Sequence, residues 1–456
     1  LNFSQVGNSN PGIGVGLVIT ISYVNLLGEN LILIFMFKKT TLPNGLRVIT
    51  KTLESTKAVT VLVLTGAGSR YETREISGIS HFLEHMFFKG GDRFKNAKEV
   101  SEAVDSVGGE FNAFTGKEYA GYYVKVASEN ADTAYDVLSD MMLNAQFAQA
   151  EIEKERGVIL EEYNMYQDTP MYQVGWEFEE LMYGDQPLGW DQIGLKDVIN
   201  SVNHEDFVKY KKELYSTDNL VVAVSGNVDH EEVVAKIEKF FPMEKSERAY
   251  DFEKYVEGKG TDKVALKHKK TEQAHLVCGV EAYSETHEDH WILKILAVIL
   301  GGNMSSRMFL NVREAHGLAY YIRTNTDDYM DTGAISTTAG VDTARAHMAV
   351  EKIVEQYKLI ATEDVSEAEL KKAQNFVKGK MVLGLEDSEE YAHLLAKYEL
   401  LHDGPKTPEE IMASIDAVTV ADVRRVAEKL LVPERLKLAI IGPYEDAGEF
   451  EKLLKW

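Results

Sequence analysis

Cysteine is almost absent from this chain, which contains one, Cys278, among 456 residues. A single cysteine cannot form a disulfide within the chain, so the sequence fits a reducing compartment and predicts a cytoplasmic location. Cys278 lies in the apolar run 275–280, which is typical of a buried strand. We therefore interpret it as a core residue and not as a nucleophile.

Positive charge is scarce relative to negative charge. The chain has 49 Lys and Arg residues against 73 Asp and Glu residues, which gives a net charge of −24 at pH 7. Binding to nucleic acid requires a basic surface that neutralises phosphates, so this composition argues against a nucleic-acid partner. An acidic enclosure would favour basic peptides, although the net charge does not locate the acids.

Lysine and arginine are missing altogether from residues 1–35. A secretory signal opens with positive charge, so this segment does not match one. Residues 14–37 are largely apolar and are followed by Lys38 and Lys39. This pattern is compatible with a membrane anchor, in which case a membrane would be a partner of the chain. We expect residues 1–35 to be an upstream extension outside the fold, which need not be translated in the cell. The alternatives are the anchor and a disordered tail.

The most informative residues that are present are the five from His81 to His85, with the sequence HFLEH. Two histidines four apart, with Glu84 between them, project from one side of a helix. Neutral imidazoles bind zinc, and a neighbouring carboxylate can accept a proton from water. The order H-x-x-E-H is the inverzincin signature. The alternative is a pair of surface histidines on an amphipathic helix.

A third zinc ligand is expected, because zinc usually has at least three protein ligands. Residues 149–167 have the apolar period of a helix, and Glu155 and Glu162 fall on its apolar stripe. Carboxylates on a buried face are costly unless they are paired or bound to a metal. Glu162 is therefore a candidate ligand and Glu155 a candidate partner of a histidine. The alternative is a rotated helix with both acids exposed.

The spacing from the H-x-x-E-H motif to Glu162 resembles that of the M16 metallopeptidases, which include the mitochondrial processing peptidases, insulin-degrading enzyme and pitrilysin. The segments GGEFNAFTGKE at 108–118 and ERGVILEE at 155–162 resemble the family as well. The resemblance extends from about Met36 to the C-terminus. The chain length is similar to that of members of the M16B branch, which includes the processing-peptidase subunits and bacterial homologues.

This resemblance implies a role for each residue of the motif. His81, His85 and Glu162 would bind one zinc ion per chain. Glu84 would be the general base that activates water, and Glu155 the supporting acid.

The chain repeats itself at an offset of 216 residues, because 200–207 resembles 416–423 and 220–226 resembles 436–442. Similarity at this spacing indicates two homologous domains. Each is expected to be an α+β fold with a mostly antiparallel sheet packed against helices. The second half has no H-x-x-E-H motif. The predicted boundaries are 36–243 for the zinc-binding domain, 244–260 for a linker and 261–456 for the second domain.

Arg313 and Tyr320 resemble the R-x(6)-Y element of the family. The resemblance implies that Tyr320 donates a hydrogen bond to the developing oxyanion and that Arg313 holds the substrate or that tyrosine. It also implies a dimer, either a homodimer or a heterodimer, in which these residues of one chain complete the zinc site of the other. The alternative is a surface arginine and a strand aromatic.

Residues 108–115 predict a turn followed by a short strand. In the family a comparable edge strand pairs with the extended substrate, so Asn112 and Ala113 are candidate substrate contacts. The alternative is an edge that faces solvent.

Together these features predict a zinc-dependent endopeptidase that hydrolyses peptides or short unfolded polypeptides in a chamber formed by two subunits. The competing interpretation is a non-catalytic or partner-dependent subunit of a heteromeric complex similar to a processing peptidase. The complete ligand set favours the enzyme.

Overall fold

The computed structural model describes residues 17–19, 37–260, 262–402 and 404–456. The strands are β1 Leu17–Ile19, β2 Phe37–Thr41, β3 Arg47–Thr52, β4 Ala58–Thr65, β5 Glu110–Thr115, β6 Ala120–Ala127, β7 Leu220–Gly226, β8 Val264–His268, β9 Gln273–Ala282, β10 Ala319–Asp328, β11 Gly333–Asp342 and β12 Lys437–Gly442. The α-helices are α1 Ile79–Phe87, α2 Ala97–Asp105, α3 Ala131–Asn144, α4 Gln149–Asp168, α5 Pro170–Tyr183, α6 Lys196–Ser201, α7 His204–Leu214, α8 His230–Phe240, α9 His290–Gly301, α10 Ala346–Thr362, α11 Glu367–Gly384, α12 Ser388–Leu401, α13 Pro408–Asp416, α14 Val420–Leu430 and α15 Ala447–Glu451. A π-helical segment spans Phe309–Glu314, and short 3₁₀ helices span Ser69–Tyr71, Arg74–Ile76, Ser128–Asn130, Pro187–Gly189 and Thr343–Arg345.

These elements form two compact units. Of the described residues, unit 1 contains those up to Leu160, Gln192–Phe252 and Val382–Thr407, and unit 2 contains those in Glu161–Asp191, Glu253–Met381 and Pro408–Trp456. Each unit therefore includes a helical segment from the other half of the sequence. The domain boundaries predicted from the sequence, at 36–243, 244–260 and 261–456, stay a prediction.

Within residues 1–35, which we expected to lie outside the fold, the strand β1 pairs antiparallel with β2. The rest of that prediction lies outside the described residues. Within the described residues, no helix combines the length and the apolar character that crossing a membrane requires.

Unit 1 is built on a seven-stranded sheet with the strand order β1-β2-β3-β7-β4-β6-β5. All neighbours pair antiparallel except β3 and β7. Helix α12 covers this sheet: its buried residues Tyr391 and Leu395 belong to the same core cluster as Ile49, Leu62 and Val221 on the strands.

Unit 2 is built on a five-stranded sheet with the order β10-β11-β9-β12-β8, again antiparallel except for one pair, β12 and β8. Val174 and Phe178 of α5 share a core cluster with Val277 and Ile441 of the sheet. Cys278 is fully buried in β9, as the sequence predicted. The predicted α+β fold with two similar, mostly antiparallel sheets is confirmed.

The internal repeat is visible in local detail. Helix α7 begins with a capping box formed by Asn203 and Asp206, and α14 begins with one formed by Thr419 and Asp422. In each, the cap side chain accepts a backbone hydrogen bond from the first turn and the acid accepts one in return, which satisfies two amides that lack partners within the helix. Both boxes lie at the offset of 216 residues found in the sequence.

His230 predicts a pH dependence of stability. This buried residue at the start of α8 contacts the hydroxyl oxygens of Thr40 (Nε2, 2.8 Å) and Thr50 (Nδ1, 2.8 Å). Burial lowers the pKa of His230 below 6.5, so the folded state favours the neutral ring. Its stabilising contribution is therefore fully present above about pH 6.5 and is lost as the pH falls further.

The substitution His230→Ala tests this prediction. It leaves two buried hydroxyls without the ring, so we expect the free energy of unfolding at pH 8 to fall by about 3 kcal/mol. Urea unfolding at pH 8 and pH 5.5, with a chelator present to remove the effect of metal, measures the difference. The variant should lose less stability between the two pH values than the wild type does; an equal loss would contradict the prediction.

Candidate metal centre

Helix α1 presents the H-x-x-E-H motif on one half-buried face. Phe82, Leu83, Met86 and Phe87 are buried beneath the helix, which turns His81, Glu84 and His85 towards the other side. The helix starts after Gly78, whose φ is +92°, and a Cβ there would lie 2.4 Å from the carbonyl oxygen of Ile193. The position therefore requires glycine.

The carboxylate of Glu72 completes the start of α1. It accepts hydrogen bonds from the backbone amides of Gly78 (2.6 Å) and Ser80 (2.9 Å), and so replaces a conventional cap. Burial raises the pKa of Glu72 to about 7, although these two hydrogen bonds act in the opposite direction. Sequence reasoning missed this residue, because it lies outside the helix.

The ring of His81 lies next to that of His85, with centroids 4.8 Å apart and planes at 68°. Burial, and to a smaller extent the neighbouring His85, lowers the pKa of His81 to about 3. His81 is therefore neutral at physiological pH, which is the form of imidazole that binds a metal ion.

Glu155 lies beside His85, as a supporting acid would. Its Oε1 is 2.8 Å from Nδ1 of His85, and its Oε2 is 2.6 Å from Nζ of Lys89. Burial alone would raise the pKa of Glu155, but the hydrogen bonds from His85 and Lys89 outweigh it and lower the pKa. A proton on Nδ1 that faces this carboxylate leaves the lone pair on Nε2 available for a metal. Sequence reasoning missed Lys89, although its i+4 spacing from His85 could have revealed it.

Glu162 joins the two histidines in one group. One ligand atom from each of His81, His85 and Glu162 lies within 4.8 Å of the others. Three ligands at about 2.1 Å from a shared zinc ion are about 3.4 Å apart, so small side-chain rotations are enough to bind it. Among the described residues this is the single group of three or more potential ligands with such spacing. The residues therefore fit zinc.

The helix α4 carries both acids, two turns apart, and matches the helix predicted at 149–167. Glu155 is buried, with 7% of its surface exposed, and Glu162 is half-buried. Tyr166, one turn after Glu162, hydrogen-bonds to it; burial and then the charge of Glu162 raise the pKa of Tyr166.

Family models match most of the chain. Residues 47–191 match the model described as insulinase (peptidase family M16), and residues 201–377 match the model described as the peptidase M16 inactive domain. The chain belongs to the M16 peptidase family. An uncharacterized zinc protease of Streptomyces coelicolor is 36% identical over 90% of both chains. YmxG of Bacillus subtilis, also named an uncharacterized zinc protease, is 37% identical over 90% of this chain and 98% of its own.

Solved structures have the same fold as this chain. A protease from Helicobacter pylori has a TM-score of 0.82 and 25% identity, and the match covers 89% of this chain and 99% of that one. A peptidase M16 inactive-domain protein from Pseudomonas fluorescens has a TM-score of 0.83 at 15% identity, covering 90% and 98%, and so shows the same fold.

The charge of Glu84 in this M16 chain acts on a buried pair of tyrosines, Tyr122 and Tyr215. The hydroxyl oxygens of Tyr122 and Tyr215 are 2.9 Å apart. Burial raises the pKa of both, and the nearby charge of Glu84 raises both further. These tyrosines therefore stay neutral next to the carboxylate. Sequence reasoning missed them, because one lies on β6 and the other just after α7, and two aromatic residues 93 positions apart carry no local signal.

Asn112 and Ala113 lie on β5, the outermost strand of the unit 1 sheet. The preceding residue, Phe111, contacts Phe88 just beyond α1, with ring centroids 5.6 Å apart. Because side chains alternate along a strand, Ala113 shares that face, whereas Asn112 points to the other face and hydrogen-bonds to Tyr123. Their role in substrate binding stays a prediction.

Arg313 and Tyr320 lie in unit 2. Arg313 belongs to the π-helical segment, with its guanidinium 4.7 Å from the ring centroid of Phe309. Tyr320 lies on the edge strand β10 and is 74% exposed. Between them, Gly317 has a φ of +56°, and Arg345 donates to the carbonyl oxygen of Gly317 at 3.2 Å. The predicted roles of Arg313 and Tyr320 beside a zinc ion stay predictions.

The contact between Glu155 and His85 leads to a testable expectation. Glu155→Gln removes the charge that orients the ring, and we expect the zinc affinity to fall by about 10–100-fold. Competition with a chromophoric chelator measures the affinity. Glu151→Gln, which changes an acid on the same helix that pairs with Lys154, is the matched control. Equal effects of the two substitutions would contradict a specific role for Glu155.

Proposed function

We propose that this chain is a zinc-dependent endopeptidase with one zinc ion per chain that hydrolyses peptides or short unfolded polypeptides. The observation that carries the proposal is the group of His81, His85 and Glu162, with ligand atoms within 4.8 Å of one another and Glu84 on the same helix as the histidines. The similar proteins of Streptomyces coelicolor and Bacillus subtilis are both named as zinc proteases, which supports it.

A zinc ion bound by these three residues would supply Lewis acidity, lowering the pKa of water and polarising a peptide carbonyl. The protein side chains perform the remaining work. Glu84 accepts the proton from the attacking water and delivers it to the departing amine. Glu155 fixes the tautomer and the orientation of His85, and the half-buried His81 stays neutral.

The edge strand β5 suits an extended peptide. It pairs with β6 on one side, and the backbone groups of alternate residues point to the other side. There the amide of Ala113 donates to Oδ1 of Asn112 at 2.9 Å, and a substrate strand would replace that side chain as its partner. Backbone pairing of this type is largely independent of the peptide sequence. A substrate bound along an edge extends in both directions from the cleaved bond, as in an endopeptidase.

The decisive test uses the full chain and a quenched fluorescent peptide library. Wild-type protein should contain about one zinc ion per chain, in line with a single three-ligand group, and should cleave internal peptide bonds, located by mass spectrometry. A chelator should abolish cleavage, and added zinc should restore it. Bound zinc without cleavage would favour the alternative, a non-catalytic or partner-dependent subunit; absence of bound zinc would contradict the metal site itself.

We propose further that two chains combine to form the chamber, with Arg313 and Tyr320 of one chain completing the zinc site of the other. The exposure of Tyr320 leaves its hydroxyl available for such a role. A homodimer is the simpler arrangement, and a heterodimer is the alternative.

Mixing two inactive variants tests this arrangement. Glu84→Gln and Tyr320→Phe should each be inactive alone. Random pairing makes half of the dimers mixed, and each mixed dimer has one intact site, so co-expression should restore about one quarter of wild-type activity. No recovery in proteins that form dimers by light scattering would contradict a shared site.

A further inference from the structure

Two apolar side chains on α4 remain exposed next to the metal ligands. Val158 and Met165 each have 50% of their surface exposed. Val158 precedes Glu162 by four residues and Met165 follows it by three, and residues at these spacings share one helix face. The three side chains therefore form a single row with the carboxylate in the middle.

Val158 and Met165 lie on the solvent-exposed side of Glu162. A helix turns by about 100° per residue, so Val158 and Met165 lie about 40° and 60° to one side of Glu162, and Ile159 lies about 60° to the other side. Ile159 is fully buried. Glu162 therefore lies between this apolar pair and the protein core, and the pair does not contribute to that core.

We propose that Val158 and Met165 contact an apolar side chain of the peptide substrate next to the scissile bond, and so set a preference for residues such as Leu, Met or Phe there. This inference rests on the proposed peptidase function. It adds the substrate class that the active site selects and the residues that select it.

Dimensions and chemistry support this occupant. A scissile carbonyl must approach the ligand group, which includes Glu162 at the centre of the row. The row spans seven residues of helix, about 10 Å, which equals the length of about three residues of extended peptide. The substrate side chains that flank the cleaved bond therefore lie within reach of this pair. The flexible thioether of Met165 adapts to apolar side chains of different shapes.

The double variant Val158→Thr, Met165→Gln tests the proposal, because both substitutions keep the approximate shape and replace apolar surface by polar surface. The matched control is Val208→Thr, Met348→Gln. Its two residues have 43% and 47% of their surface exposed, and they lie on α7 and α10. The substrates are peptides of one sequence in which each position around the cleaved bond carries Leu, Phe, Ser or Gln.

The measured quantity is the ratio of kcat/KM for apolar to polar residues at each position. We expect the wild type and the control to show the same preference at a position adjacent to the cleaved bond, and the test variant to lose about 10-fold or more of it there alone. The proposal would be overturned if the test variant had the same ratio as the wild type at every position. It would also be overturned if the ratio changed equally at all positions.

A binding arm separates this proposal from the peptidase function. The same substitutions are made in the Glu84→Gln chain loaded with zinc, and fluorescence anisotropy measures affinity for the same peptides, each carrying a fluorophore. If the wild type cleaves nothing, the proposed function fails, yet a 10-fold loss of apolar preference in binding would still support the role of Val158 and Met165. Absence of peptide binding, or binding that the substitutions do not change, would overturn it.

Discussion

Replacing Glu84 with Gln is expected to lower kcat/KM for peptide cleavage by about 10³-fold while the bound zinc stays at the wild-type level. The amide has nearly the shape of the carboxylate but cannot accept a proton from water. His81, His85 and Glu162 are unchanged, and their ligand atoms form the group that fits the metal. Loss of activity with the metal retained is the signature of a missing general base.

Zinc content by mass spectrometry and initial rates on one fluorescent peptide test this expectation. Glu102→Gln, on the neighbouring helix α2, changes an acid that is largely exposed and pairs with Lys98, and provides the control for a change of one charge. Near-normal turnover by the Glu84 variant would exclude Glu84 as the base. Loss of zinc from it would mean instead that the substitution disturbs the site itself.

Replacing Glu162 with Gln is expected to weaken zinc binding by more than about 100-fold. A loss of about 100-fold is the upper end for residues that hydrogen-bond to metal ligands without contacting the metal, and a direct ligand should exceed it. The substitution removes the negative charge from the ligand group, and an amide oxygen is a poorer donor to zinc than a carboxylate. The adjacent Glu161 offers a matched control, because it belongs to the same helix, is exposed and lies outside that group.

Thermal unfolding with and without zinc measures this effect independently of activity. Binding to the folded state raises the unfolding temperature in proportion to the logarithm of the ligand concentration over its dissociation constant. Zinc should therefore raise the Tm of the wild type and of Glu161→Gln, and have little effect on Glu162→Gln. An equal shift in all three proteins would place the metal elsewhere.

Much of the fold follows from patterns that are visible in the sequence itself. The repeat at an offset of 216 residues predicted two similar domains, and the capping boxes that begin α7 and α14 carry the same offset. The apolar period predicted the helix that the structure has at Gln149–Asp168. Such patterns are readable because capping and helical periodicity involve residues only three or four positions apart.

The exchange of segments between the two units was not foreseen. Residues 161–191 belong to unit 2, and residues 382–407 belong to unit 1, where α12 covers the sheet. An amphipathic helix reveals its apolar face in its sequence, but any apolar sheet of suitable shape can cover that face. The choice between two similar sheets is therefore made by the long-range packing.

For the candidate site, the sequence by itself determined which residues share a helix face: His81, Glu84 and His85 on α1, and Glu155 and Glu162 on α4. Only the tertiary structure decided which faces meet. It brought Glu155 to His85 across 70 residues, added Glu72 at the start of α1, and left Val158 and Met165 exposed beside the ligand. Helical spacing is fixed by hydrogen bonds between near neighbours, whereas contacts between helices depend on the packing of the whole chain.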